Sequence, residues 1–267
     1  MTPLVMQFAI RMDLLDRPGG HKSHSRAVPY LGGVAIVFSF AAAVLVASLL
    51  WPPKSGRYEL LVVLALAILL ALVGLVDDLR TVPPLYRVLV EILAAVAIWL
   101  LGTGVDVTSI GALDLGLTVL WIVGITNAFN LLDNMDGLAT GLASISSLTV
   151  FSIAATNGQF LVAALAIGLT GCTIGFLRHN FHPARIYMGD GGSMFIGFLV
   201  AYICIKLRFD GGRYLSALIP ILACSAAIAD TSIVTISRLA SGLSPFQGGQ
   251  DHVSHRLVGL GLPVRAA

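Results

Sequence analysis

The sequence predicts an all-α protein, a polytopic bundle of transmembrane helices. Three observations carry that reading. Of 267 residues, 57% are hydrophobic and only 11% are charged, whereas a soluble domain carries about 25% charged residues. Mean hydropathy is +0.91. The apolar residues fall in runs that suit a hydrocarbon core of ~30 Å, which takes roughly 20 residues per helix. At about 30 residues per helix and loop, the length admits about nine spans. This balance excludes an ordinary soluble enzyme, a disordered chain and a nucleic-acid binder.

The runs follow in order. A weak first segment covers residues 1–15, then come Gly33 to Leu50, Leu60 to Val76, and Val88 to Leu101. Leu115 to Phe129, Leu138 to Ala155, Phe160 to Leu177, Met194 to Leu207, and Leu215 to Ile236 complete the set. In lipid each must be helical, because no other open segment satisfies its own backbone hydrogen bonds. No repeat or low-complexity linker divides the chain, so residues 1–267 are expected to form one integral-membrane domain. Arg11, Asp13 and Asp16 crowd the short first run, and the chain stops soon after a polar loop. Truncation at one or both ends is therefore expected. No charged n-region, short apolar h-region and cleavage site follow one another at the start, so a removable signal peptide is not expected. Cys172, Cys204 and Cys224 lie in apolar stretches without metal-site spacing, which reads as packing.

The loops alternate in charge. One set holds 11 of the 16 Lys and Arg residues: Arg11, Arg17, Lys22, Arg26, Arg80, Arg87, Arg178, Arg185, Arg238, Arg256 and Arg265. The positive-inside rule places that set in the cytoplasm. The same set carries almost all chemically capable groups, while the opposite loops hold Asp106, Asp114 and Asp210 without histidine or motif. Transporters place ionisable groups near the midplane. Clustering at one face argues against transport and for a site at the membrane surface.

Asp77 and Asp78 close one apolar run. Adjacent carboxylates oppose the dipole at a helix C-terminus, a cost that a divalent cation or a basic ligand relieves. Hard oxygen ligands suit Mg²⁺, with Mn²⁺ as an alternative. A solvated helix end paired to Arg80 is the plainer reading. In Asn127-Ala-Phe-Asn130-Leu-Leu-Asp133-Asn-Met-Asp136-Gly137 the polar residues recur every three positions. On a helix, Asn127 then neighbours Asn130, and Asp133 neighbours Asp136. Polar groups at membrane depth are functional by default, though capping two helix ends would use the same residues. Met188-Gly-Asp190-Gly-Gly-Ser193 opens another run; its glycines expose backbone amides to an anion, and Asp190 adds a metal ligand. A plain interhelical turn is the alternative.

Asp251-His252-Val-Ser-His255-Arg256 lacks a third zinc ligand and reads as donors for phosphate or sugar oxygens. Arg17, His21, Lys22, His24 and Arg26 form a second basic loop, which topology alone would also explain. Asp230 lies inside the last run and is expected to neutralise itself or to pair with Arg238.

Five ordered stretches resemble the polyprenyl-phosphate N-acetylhexosamine-1-phosphate transferase family (glycosyltransferase family 4). They are Asp16-Arg-Pro-Gly-Gly-His-Lys22-Ser-His24 with Pro29-x-x-Gly-Gly33, then Val76-Asp-Asp-Leu79, then Asn127 through Ala139, then Met188 through Ser193, and finally Asp251-His252-x-x-His255-Arg-Leu257. Lys22-x-His24 and the histidine loop look most like the undecaprenyl-phosphate GlcNAc-1-phosphate transferase branch. The phospho-MurNAc-pentapeptide transferase branch typically has Thr-Pro-Thr-Met-Gly-Gly where this chain has Val28-Pro-Tyr-Leu-Gly-Gly33.

The resemblance implies Mg²⁺-dependent transfer of a sugar phosphate from a UDP-amino sugar to a polyprenyl phosphate (undecaprenyl or decaprenyl), with release of UMP. It implies a multi-pass protein of the plasma membrane, with its site facing the cytoplasm and a homodimer allowed. It makes Asp190 the leading metal ligand, with Asn130 or Asp77 beside it. Asp77 or Asp78 would position or deprotonate the lipid phosphate. Asn127, Asp133 and Asp136 would orient the donor, while Lys22, His252, His255 and Arg256 would hold phosphate and sugar oxygens.

Overall fold

A computed structural model describes residues 1–17, 27–52, 55–208, 213–244 and 251–266. Lys22, His21, His24 and Arg26 lie outside the described residues. The helices are α1 (Thr2–Arg11), α2 (Gly32–Leu50), α3 (Arg57–Leu79), α4 (Pro84–Leu100), α5 (Gly111–Leu132), α6 (Leu138–Thr156), α7 (Phe160–Asn180), α8 (Gly189–Lys206), α9 (Arg213–Ala223), α10 (Ser225–Ala240) and α11 (Val253–Gly259). Two short strands, β1 (Leu15–Asp16) and β2 (Val28–Pro29), pair antiparallel. The rest of the regular structure is helical, as the apolar runs require.

The expected nine spans are not all present. Among the described residues six helices (α2, α3, α5, α6, α7 and α8) are long and apolar enough to cross a membrane. The pair α9–α10 makes a seventh if its two halves, bent by 72°, count as one span. Helix α1 has 10 residues, too few for a ~30 Å core at 1.5 Å per residue. Helix α4 stops at 17 residues and carries Arg87 and Glu91. The break falls at Cys224, four residues after Pro220, which itself lies inside α9.

Helix α8 is the axis of the bundle. Every residue from Gly191 to Ile205 is buried, and α2, α3, α5, α6, α7 and α9 pack around it. Such a helix must be apolar all round, so its sequence shows no amphipathic stripe. Small residues set the closest crossings. A Cβ on Gly74 of α3 would stand 2.4 Å from the Asp190 carbonyl oxygen, and one on Gly33 of α2 would stand 2.3 Å from the Gly192 nitrogen. At these two points backbone meets backbone, which is how membrane helices approach one another without a hydrophobic drive.

Polar contacts secure the rest. Helices α6 and α7 are joined by hydroxyls, Ser144 to Thr173 at 2.8 Å and Ser147 to Thr170 at 2.8 Å. At the end away from the carboxylate motifs, Lys206 of α8 bonds both Glu59 oxygens at 2.7 and 2.8 Å, and Tyr202 donates to the same carboxylate. A buried ion pair needs such extra donors to offset its desolvation.

Gly74→Ala should force α3 off α8 and cost about 1–3 kcal/mol, as overpacking does. Gly141, with nothing within 4 Å of an added Cβ, should accept alanine without loss. Thermal unfolding of the two variants in one detergent compares them directly; equal melting temperatures would dissociate the glycine from the crossing.

Candidate active site

The motifs converge at one end of the bundle, around the start of α8. Gly189 opens that helix at φ +74°, a left-handed conformation that suits glycine, and an added Cβ would meet the Asp78 carboxylate at 2.6 Å. Asp78, on the last turn of α3, accepts hydrogen bonds from the Asp190 and Gly191 amides at 2.8 and 3.1 Å. It thus caps α8 from another helix, satisfying donors that a helix start leaves orphaned and setting a negative charge at its positive end. The segment after β2 closes against the same turn, with the Gly32 and Gly33 amides bonded to the Tyr187 and Met188 carbonyls at 2.9 and 2.7 Å.

Asp77 points elsewhere. It accepts from the Val82 amide at 2.6 Å and from Arg87 of α4. The same Arg87 nitrogen donates to Asp190 at 2.7 Å. One guanidinium therefore holds two carboxylates from α3 and α8. Beside them Asn130 lies against Asp190 and donates to Ser193 at 2.9 Å. Among the described residues no three His, Cys, Asp or Glu converge as a protein-only metal cage. Two carboxylates closing on one positive group still fit Mg²⁺, which usually takes one or two carboxylates and fills its remaining positions with water and phosphate oxygens.

Asn127, Asp133 and Asp136 separate from one another. Helix α5 ends at Leu132, so Asp133 and Asp136 lie beyond it rather than on one helical face. Asn127 donates to the buried Glu91 carboxylate and to the Val123 carbonyl. Asp133 sits close to Asp190 and Asp78, with the Gly189 amide turned toward it. Burial first, and those carboxylates second, push its carboxyl well above the usual range. Asp136 bonds His182 Nδ1 at 2.8 Å and the Ala184 amide at 2.9 Å, which fixes the connection into α8.

The histidine loop is anchored by α10. Asp230 pairs with His252 Nδ1 at 2.7 Å and accepts from the Val253 amide at 2.8 Å. Arg238 instead grips Asp251, at 2.6 and 2.5 Å. The expected Asp230–Arg238 pair is therefore corrected: each finds its opposite number in the loop, because the bend turns α10 toward that segment. Ser254 donates to Asn134 at 3.2 Å, tying the loop to the α5–α6 turn. Arg256 donates to the Asp251 carbonyl at 2.9 Å and reaches Ser237. The Arg238 guanidinium holds the Asp251 carboxyl below the ordinary carboxylate range, and burial, with His252 nearby, lowers the His255 imidazole.

Two members of the site escape a motif search. Arg87 was counted only as a topogenic charge, and Glu91 drew no notice. Their signal was available: a cation and a carboxylate four apart in an otherwise apolar helix, where charge is costly unless partnered.

A sequence model of glycosyl transferase family 4 matches residues 60–208. The chain is 34% identical over 277 residues to a probable undecaprenyl-phosphate N-acetylglucosaminyl 1-phosphate transferase of Bacillus subtilis (strain 168), covering 99% of this chain and 75% of the relative. It is 32% identical to the decaprenyl-phosphate N-acetylglucosaminephosphotransferase of Mycolicibacterium smegmatis, over 100% of this chain and 74% of that one. A phospho-N-acetylmuramoyl-pentapeptide-transferase of Moorella thermoacetica is 34% identical over 237 residues, which is 79% of this chain and 72% of the relative.

Asp78→Ala should leave two amides without an acceptor and cost about 1–3 kcal/mol, with Asp78→Asn recovering part of it through its remaining oxygen. Chemical or thermal unfolding reads the order; an Asp78→Ala protein as stable as the parent would remove the cap from the account. The loop contact is pH-dependent. A carboxyl whose folded pKa is depressed stabilises above its unfolded value, near 3.9, and the stabilisation is lost as pH falls through the folded value. Protection of the Val253–Gly259 amides, taken as hydrogen exchange relative to the intrinsic rate at each pH, should therefore be high at neutral pH and fall only below about pH 4, whereas Asp251→Asn should show low protection throughout.

Proposed function

The chain belongs to glycosyl transferase family 4, and from that premise we propose that it transfers N-acetylglucosamine 1-phosphate from UDP-GlcNAc to a polyprenyl phosphate, releasing UMP. The observation that carries this reading is the Asp77–Arg87–Asp190 constellation at the end of a membrane-spanning bundle whose side opens into a large apolar cavity. The cavity holds about 840 Å³ between α5 and the bent α9–α10 pair, walled by Leu117, Trp121, Ile125, Pro220 and Ile228. That volume is within the roughly 300–1,000 Å³ of ordinary ligand sites, and its lining suits an isoprenoid chain. A water-soluble nucleotide sugar and a lipid phosphate can meet only at such a boundary.

In the reaction an oxygen of the lipid phosphate forms a bond to the sugar-bearing phosphorus of the donor, and the bridging oxygen departs with UMP. Transfers of this kind depend on positioning and charge neutralisation more than on covalent help. Mg²⁺, held by Asp190 and Asp77 with the Asn130 amide alongside, would neutralise the donor's phosphate charge. Mn²⁺ fits the same oxygens. Asp78, engaged by the α8 amides, keeps that helix start in place. Asp133, beside Asp190 and Asp78, would help orient the donor. Asn127 and Asp136 shape the walls on either side, through Glu91 and His182. His252, oriented by Asp230, joins His255 and Arg256 as a donor set for phosphate and sugar oxygens. Lys22 would add a further cation. The site end faces the cytoplasm in this reading, because 11 of 16 basic residues lie in its loops.

Purified protein with undecaprenyl phosphate, Mg²⁺ and a panel of UDP-sugars tests the proposal. UDP-GlcNAc should yield the lipid-linked product and UMP, with chelator abolishing both. Faster turnover of UDP-MurNAc-pentapeptide would assign the chain to the activity named for the Moorella relative. Asp190→Asn should lower turnover at least about a hundredfold, the scale on which lost charge stabilisation registers. Its melting temperature should hardly move, since the capping bond to Asp78 comes from the Asp190 backbone. Normal turnover of that variant in saturating Mg²⁺ would remove Asp190 as a ligand.

A further inference from the structure

Arg87 occupies an unusual position. One of its terminal nitrogens contacts both Asp77 and Asp190, while its buried Nε has no hydrogen-bond partner. One turn along α4 stands Glu91, 1% exposed, whose carboxylate accepts from Asn127 alone among the described residues. Residues four apart share a helix face, so a guanidinium on this flexible stem has two acidic destinations. Arg87 is paired with Asp77 and Asp190, and Glu91 stands one turn further along the same helix. A buried carboxylate with one hydrogen bond is under-compensated, as is a buried donor nitrogen left idle.

We propose that Arg87 is an exchangeable counter-cation: it clamps Asp77 to Asp190 when no divalent ion is bound, and passes to Glu91 when one claims those two carboxylates. This rests on the metal-dependent reading above, and it assigns Arg87 and Glu91 as positioning residues. Physically the clamp offsets the mutual repulsion of Asp77 and Asp190, which would otherwise push α3 from α8. It also makes metal binding an exchange of one cation for another, so that affinity depends on where the displaced guanidinium goes. Glu91, one turn along the same helix, is a place for it.

The scheme fixes the sign of two effects in opposite directions. Mn²⁺ binding to the purified full chain, without either substrate, is measured by electron paramagnetic resonance. Arg87→Gln removes the competitor and should tighten Mn²⁺ at least about tenfold, since a neighbouring charge shifts such equilibria by one to three decades. Glu91→Gln removes the destination and should weaken it. The double variant should follow Arg87→Gln, because an absent guanidinium needs no destination. Arg87→Lys, a point charge without the planar fork, should bind with intermediate affinity, and serves if Arg87→Gln does not fold in the absence of metal. The Mn²⁺-induced rise in melting temperature should be larger for Arg87→Gln than for the parent. Unchanged or weaker binding in Arg87→Gln, or tighter binding in Glu91→Gln, overturns the exchange. A parent chain that transfers no sugar phosphate yet shows this order of affinities would overturn the proposed function and leave the exchange standing. Normal transfer with the order reversed would do the opposite.

Discussion

Everything at the site end depends on how α8 begins. The first turn of a helix surrounded by six others is largely enclosed by protein, so its amides need acceptors that the protein supplies. Asp78 supplies them from the end of α3. The carboxylate that meets this need also fixes the height of α3 against α8, and with it the position of Asp77 next to Asp190. The price of placing several carboxylates near one another is met by the helix dipole and by Arg87. Structure and chemistry are therefore set by the same few atoms, and no change at Asp78 can be purely one or the other.

Glycine completes that arrangement. Gly74 and Gly33 let α3 and α2 reach the α8 backbone, and Gly189 bends the chain so that Asp78 fits beneath it. Bulkier residues at these points would hold the helices apart at the level where the carboxylates must meet. The far end is pinned independently by Glu59 and Lys206, so α3 and α8 are joined at both ends with a dry, apolar length between.

The class of fold was legible in composition, and α2, α3 and α5 to α8 were legible as apolar runs. The span count was not, because hydropathy does not distinguish a crossing from the short α1, from α4 with its inward charges, or from a run that is broken at Cys224. The site was legible as a set of motifs, since Asp77, Asp78, Asn130, Asp133 and Asp190 do assemble in space. Their division of labour was hidden. Adjacent aspartates look alike in sequence, yet Asp77 faces a guanidinium and Asp78 faces two amides. Asp230 finding His252 rather than Arg238 depended on a bend that a linear pattern does not carry. Arg87 and Glu91 formed no motif, and only the partners that α3, α5 and α8 bring to them reveal what they do.

The broken helix has one more consequence. Pro220 and Ile221 of α9 and Ile228 of α10 wall the apolar cavity, while Asp230, half a turn further along α10, anchors His252. One short stretch of α10 therefore borders the oily wall with Ile228 and holds the polar loop with Asp230. The lining of the cavity and the aim of the imidazole are set by the same two turns of helix.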